Sequence, residues 1–144
     1  GYNARERGDG IVPHLFRVIV PVTDIERAAR FYASVLGHSG QRVSPGRHYF
    51  RCEGTILACY DPKADGDGYD AKPLPEPLYL AVDDLEATYA NATAAGASFS
   101  PDVVPDVGPL GKIAQRPWGE RSFYSADPFG NPLCFVARDS VFIG

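Results

Sequence analysis

Val22-Thr-Asp-Ile-Glu-Arg-Ala-Ala-Arg-Phe-Tyr-Ala-Ser-Val-Leu-Gly37 carries two structural signals in one stretch. Thr23-Asp-Ile-Glu26 has the Ser/Thr-x-x-Glu form of a capping box, in which side chains satisfy the first free N–H groups of a helix. Beyond it, Ile25, Ala28, Ala29, Tyr32, Val35 and Leu36 recur at helical spacing, and Gly37 supplies the stop. Just before it, residues 15–22 form a short run rich in β-branched side chains. The reading is a strand followed by an amphipathic helix.

The same order recurs downstream. Leu78–Val82 is a strand-like run, Asp83-Asp-Leu-Glu86 follows, and Leu85, Tyr89, Ala92 and Ala95 lead to a stop at Gly96. Val22 maps onto Val82 at an offset of sixty, and Gly37 onto Gly96 at fifty-nine. After each helix come paired β-rich segments: Arg47–Cys52 and Thr55–Tyr60 in the first half, Arg121–Ala126 and residues 133–137 in the second. Glu53-Gly54 and Asp127-Pro-Phe-Gly-Asn131 are tight-turn signals between the members of each pair. Each half therefore reads βαβββ. A helix after a strand is common by itself, but duplication of the later strand pair as well argues against coincidence. The organisation expected is an N-terminal arm (1–13), a first module (14–60), a linker rich in Pro, Gly and Asp (61–76) and a second module (77–140), in one compact α+β domain.

With 144 residues, 44% apolar and 22% charged, the chain can bury a core without disulfides or metal. A net charge of -4 disfavours nucleic acid and anionic membrane as partners, leaving a small molecule or a protein. No apolar run is long enough to span a bilayer and the N-terminus lacks a signal-peptide core, so a cytoplasmic location is expected. Cys52, Cys59 and Cys134 form an odd set without a Cys-x-x-Cys pair and read as small apolar strand residues.

With its modules placed, the sequence resembles the vicinal oxygen chelate (glyoxalase/bleomycin-resistance/dioxygenase) superfamily from His14 to about Ala137. The helix stretch 22–37 and the Asp127–Asn131 turn carry the resemblance. It implies two βαβββ modules, each curling its sheet into half of a cavity to form a curled mixed sheet around it, and a homodimer. Metal-dependent members of the family place a ligand five residues before the valine closing each module's first strand, and four residues after the turn glycine. Here those positions hold Arg17, Pro77, Ala58 and Cys134. Three of them offer no donor for a divalent cation, and a guanidinium repels one, so no metal and no cofactor are expected.

Strand alternation then fixes the inward face. Leu15, Arg17 and Ile19 should point into the cavity from the first strand, Ile56, Ala58 and Tyr60 from the fourth, and Pro132, Cys134 and Val136 from the last. Ser122-Phe-Tyr124 is similar to the run that fosfomycin-modifying members carry, which implies that Ser122 and Tyr124 face the ligand. Trp118 and Glu120 share their parity. Arg17 reads either as the partner of an anionic ligand or as neutralised by Glu120, and Trp118 either as a ligand platform or as a core or interface aromatic. His48 reads either as a cavity residue or as packed beside Tyr49. Arg17, His48, Tyr60, Trp118, Glu120, Ser122, Tyr124 and Cys134 thus form the candidate ligand-binding set, and no catalytic residue is assigned. The function expected is metal-independent binding of an antibiotic-like or aromatic, anionic small molecule. The alternative is a lyase, thiol transferase or extradiol dioxygenase with displaced or unusual catalytic groups. The acidic run Asp61, Asp65, Asp67, Asp70 and Glu76 reads as a solvated linker, or as a surface that greets a cationic ligand.

Overall fold

A computed structural model describes residues 12–144, so all but the last two residues of the expected N-terminal arm lie outside the described part. In the first module, β1 (Arg17–Pro21) leads into helix α1 (Ile25–Leu36), then β2 (Gln41–Ser44), β3 (Arg47–Cys52) and β4 (Thr55–Tyr60). The second repeats the order with β5 (Leu78–Val82), helix α2 (Leu85–Ala95), two two-residue strands β6 (Val103–Val104) and β7 (Gly108–Pro109), then β8 (Ala114–Gln115), β9 (Arg121–Ala126) and β10 (Pro132–Ala137). Each module forms a four-stranded mixed sheet, ordered β1-β4-β3-β2 and β5-β10-β9-β8, in which the first strand runs parallel to the last. The two sheets are not joined, and β1 and β5 each end one of them. This is the expected α+β architecture.

The helices start one residue later than the capping-box reading places them. Asp24, not Thr23, is the N-cap of α1 and accepts from Arg27 N at 3.0 Å, while Asp84 caps α2 by accepting from Ala87 N at 3.0 Å. Both helices stop as expected at glycines in the left-handed region, Gly37 at φ 82° and Gly96 at φ 99°.

Helix-facing side chains of both sheets merge with the helices into one core. Val20, Phe50, Leu57 and Cys59 come from the first sheet, Phe123, Leu133 and Phe135 from the second, and Phe31, Tyr32, Val35 and Leu85 from the helices. Phe123 stacks on Phe135 with ring centroids 5.2 Å apart and takes the edge of Tyr89 at 4.9 Å. All three cysteines are free thiols on strands, Cys59 and Cys134 buried and Cys52 half-buried.

The late turn fastens one module to the other. Buried Asp127 accepts from the Tyr32 hydroxyl of α1 at 2.6 Å, from Asn131 Nδ2 at 2.8 Å and from the backbone N–H groups of Phe129 and Asn131. Asn131 Nδ2 also donates to Pro21 O at 2.7 Å, where β1 ends, and Asn131 Oδ1 accepts from Leu74 N at 2.8 Å. At another junction Arg138, beyond β10, bridges Glu53 and Asp83, each at 2.7 Å. None of the described helices is long and apolar enough to cross a membrane.

Candidate ligand-binding site

Pairing across the Glu53-Gly54 turn sets the inward face of the first sheet. Arg47 lies opposite Tyr60, Tyr49 opposite Ala58 and Arg51 opposite Ile56, while β1 adds Arg17, Ile19 and Pro21 in register on the other side of β4. Core residues Val20, Phe50, Leu57 and Cys59 have the opposite parity. At one end of this face an open cavity of about 750 Å³ is lined by Ile19, Pro21, Arg47, Tyr60, Tyr69 and Lys72, among others. The Arg47 guanidinium lies 4.1 Å from the centre of the Tyr60 ring, close enough for a cation–π contact. The Tyr60 hydroxyl donates to Asp67 Oδ2 and accepts from the Tyr69 hydroxyl at 3.2 Å. Those bonds, to Asp67 first and then to Tyr69, hold the Tyr60 phenol well above its ordinary range, so it stays protonated.

The outer wall of the cavity is the segment expected to be a solvated linker. Asp61 and Pro62 are buried, and Asp61 N donates to Gly46 O at 2.7 Å in the β2–β3 turn. Asp65 accepts from Ser44 Oγ at 2.7 Å, Gly46 N at 2.8 Å and Arg47 Nε at 3.2 Å, which together hold its carboxyl below the usual range. Asp65 and Asp67 of this run thus latch the segment to the first sheet. Composition reported their polarity but not their partners.

Over β9 and β10 the second module's inward face is occupied by the protein itself, whereas Tyr79 of β5, in register with Cys134, stays exposed. Ser122, Cys134 and Val136 are buried there, and so is Arg116, which is only 2% exposed. Arg116 donates through Nε to Ser122 Oγ at 3.0 Å, through Nη1 to Val107 O and Pro109 O at 3.0 Å, and through Nη2 to Ser122 O at 3.0 Å and Lys112 O at 3.2 Å. Its guanidinium also lies 5.3 Å from the Tyr124 ring centre. Every guanidinium N–H is therefore spent inside the fold. Burial pushes the Cys134 thiol up to about 11, against smaller opposing effects of Ser122, Tyr124 and Arg116. Burial, then the neighbouring Cys134 and Tyr79, also raises the Tyr124 phenol.

Of the eight residues in the candidate ligand-binding set, Tyr60 alone lines this pocket, together with Ile19, which strand parity also placed on the inward face. Arg17 is on the inward face as expected but exposed, because β1 is an edge strand. Its guanidinium lies 5.6 Å from the Tyr49 ring centre and 5.1 Å from that of Phe16. No hydrogen bond, ion pair or ring contact joins it to Trp118, Glu120, Ser122 or Tyr124 among the described residues. Glu120 accepts instead from Trp118 Nε1 at 2.8 Å and from Phe142 N at 2.9 Å, fixing the C-terminal segment. His48 is no cavity residue: it shares the helix-facing parity of Phe50, is buried, donates from Nε2 to Ser39 O at 2.8 Å, and accepts at Nδ1 from Arg42 Nε at 3.3 Å. Arg47, Tyr69, Lys72 and Arg116 are absent from the expected set. Counting back from the Glu53-Gly54 turn would have found Arg47.

A family model for the Glyoxalase/Bleomycin resistance protein/Dioxygenase superfamily matches residues 12–135. The chain belongs to this superfamily. Similar solved structures include a glyoxalase-related enzyme from Fulvimarina pelagi, at 21% identity and a TM-score of 0.70 over 92% of this chain and 94% of that one. A glyoxalase/bleomycin resistance protein from Albidiferax ferrireducens T118 is 23% identical, with a TM-score of 0.66 over 85% of this chain and 97% of that one. A glyoxalase/bleomycin resistance protein/dioxygenase family enzyme from Burkholderia phytofirmans PsJN is 18% identical, with a TM-score of 0.65 over 87% and 98%. No curated protein matches the chain. At these identities the likeness fixes the fold and leaves activity to the site.

The residues present do not fit the metal that many members of the superfamily use. Arg17, Ala58 and Pro77 offer no donor, and Cys134 is a buried thiol whose proton is held up to about 11. Among the described residues no three His, Cys, Asp or Glu side chains converge on one point.

Proposed function

We propose that this superfamily member binds a small molecule with an aromatic body and an anionic group, without metal, on the inward face of its first module. The observation that carries this reading is the Arg47 guanidinium stacked on Tyr60 at the wall of an open cavity of about 750 Å³. Preformed ligand sites run to about 300–1,000 Å³ and combine apolar walls with a few placed polar groups. Ile19, Pro21 and Tyr69 supply the first here, Arg47 and Lys72 the second. A guanidinium suits a carboxylate, phosphate or sulfonate through paired N–H bonds. Antibiotic sequestration, the role such binding takes in part of the superfamily, needs affinity and no bond-making step. A metal-dependent lyase, thiol transferase or dioxygenase would need donors that the inherited positions lack. A homodimer belongs to the same proposal.

Calorimetric titration with 2-naphthoate and 2-naphthol, which share an aromatic body and differ in the anion, tests it. Naphthoate should bind at one site per chain and naphthol at least about tenfold more weakly, the effect of one charge-assisted hydrogen bond. Arg47→Gln and Lys72→Gln should abolish that difference, whereas Trp118→Ala should leave it intact. Equal binding of the two compounds, or loss of binding in Trp118→Ala alone, would return the site to the second module.

A further inference from the structure

The phenols beside this pocket form a chain with a direction. Asp67 is a carboxylate and can only accept, so the one hydrogen of the Tyr60 hydroxyl is committed to it. The Tyr60 oxygen, having given its hydrogen away, takes the Tyr69 hydrogen across 3.2 Å. Both phenol hydrogens thus run towards Asp67, and both oxygens keep only lone pairs to offer a ligand. The raised titration of Tyr60 fits the same polarity, since its proton is held in place by Asp67 and Tyr69. The other polar groups of the pocket are cationic donors: Arg47 against the face of Tyr60, and Lys72, three residues beyond Tyr69 on the same wall. Asp70, the acidic group of the lining, is already paired with Lys63 at 2.9 Å.

Donors from Arg47 and Lys72 and acceptors from Tyr60 and Tyr69 therefore line one pocket. Resting on the reading of this pocket as the ligand site, we infer that it selects aromatic anions that also carry a hydrogen-bond donor, a hydroxyl or an amine, apart from the anionic group. An ether at the same place presents lone pairs to lone pairs and gains nothing.

Fluorescence titration with 6-hydroxy-2-naphthoate and 6-methoxy-2-naphthoate measures the preference. The hydroxy compound should bind about three- to tenfold more tightly, the range of one neutral hydrogen bond. Asp67→Asn changes an exposed side chain into an amide that both donates and accepts, so the phenol chain can run either way. The preference should then fall to near unity while binding persists. A parent protein that binds both compounds equally or favours the ether, or an Asp67→Asn protein that keeps the parent's preference, overturns the inference and leaves the pocket standing. Failure of either naphthoate to bind the parent removes the pocket reading and the inference with it.

Discussion

At the scale of single residues, two buried polar groups decide what the late sequence of the second module is for. Asp127 accepts four hydrogen bonds in the core, one of them from Tyr32 on the other module. Burial, reinforced by that carboxylate, lifts the Tyr32 phenol well above its ordinary range. Tyr32→Phe keeps the ring and removes one bond to a charged acceptor, so unfolding in denaturant should show a loss of about 1.5–3 kcal/mol. A variant as stable as the parent would mean that the turn holds without α1. Arg116 presents a different balance. Replacing both members of a buried ion pair by apolar groups is often neutral. Here, however, the partners are backbone carbonyls of Val107, Pro109 and Lys112, which stay behind. Arg116→Met should therefore cost about 3 kcal/mol or more, each orphaned buried acceptor contributing about 1–3. Amide exchange should quicken across residues 105–116. Unchanged stability and exchange in Arg116→Met would show that the loop supports itself.

At the scale of elements, the strap between the modules behaves as part of the first sheet. Gly46 lies so close to it that an added Cβ would fall 2.3 Å from Asp61 O, an approach only glycine allows. Asp65 then fastens the strap through Ser44, Gly46 and Arg47, and the resulting depression of its carboxyl makes a pH prediction with a definite sign. A carboxyl lowered in the folded state stabilises above its unfolded value, about 3.9 for aspartate, and that contribution fades as pH falls through the folded value. Asp65→Asn should therefore lower the melting temperature near neutral pH, and the gap between variant and parent should close in acid. A gap that is absent at neutral pH, or that widens on acidification, would show that the latch carries no charge-dependent stability. The same strap carries Tyr69 and Lys72, so its order and that of the pocket wall are one property.

Across the whole molecule, the repeated fold was legible because its signals are local: helical spacing closed by Gly37 and Gly96, and turns at Glu53-Gly54 and Asp127–Asn131. Strand parity followed, and with it the inward direction of Arg17, Ala58, Tyr60 and Cys134. Which inward face stays open was not legible. That depends on Arg116 finding backbone carbonyls and on Asp65 finding a turn N–H, and backbone acceptors and donors have no side-chain signature in the sequence. The reading of His48 as a cavity residue fails because the pairing of β3 with β4 sets His48 opposite Cys59, on the helix-facing side. Strands β1 and β5 each end a sheet, and Leu15, Phe16, Ile19 and Tyr79 on or beside them are 70, 57, 38 and 61% exposed. Unpaired edges bearing large apolar side chains invite association, and soluble proteins manage them by covering them. In the proposed homodimer a second copy covers both, over an interface on the order of 2,000 Å². Sedimentation velocity at micromolar concentration should show a dimer, and Ile19→Lys with Tyr79→Lys should shift it towards monomer. Monomeric parent protein would rule the dimer out, and a dimer unmoved by the two lysines would place its interface away from these edges.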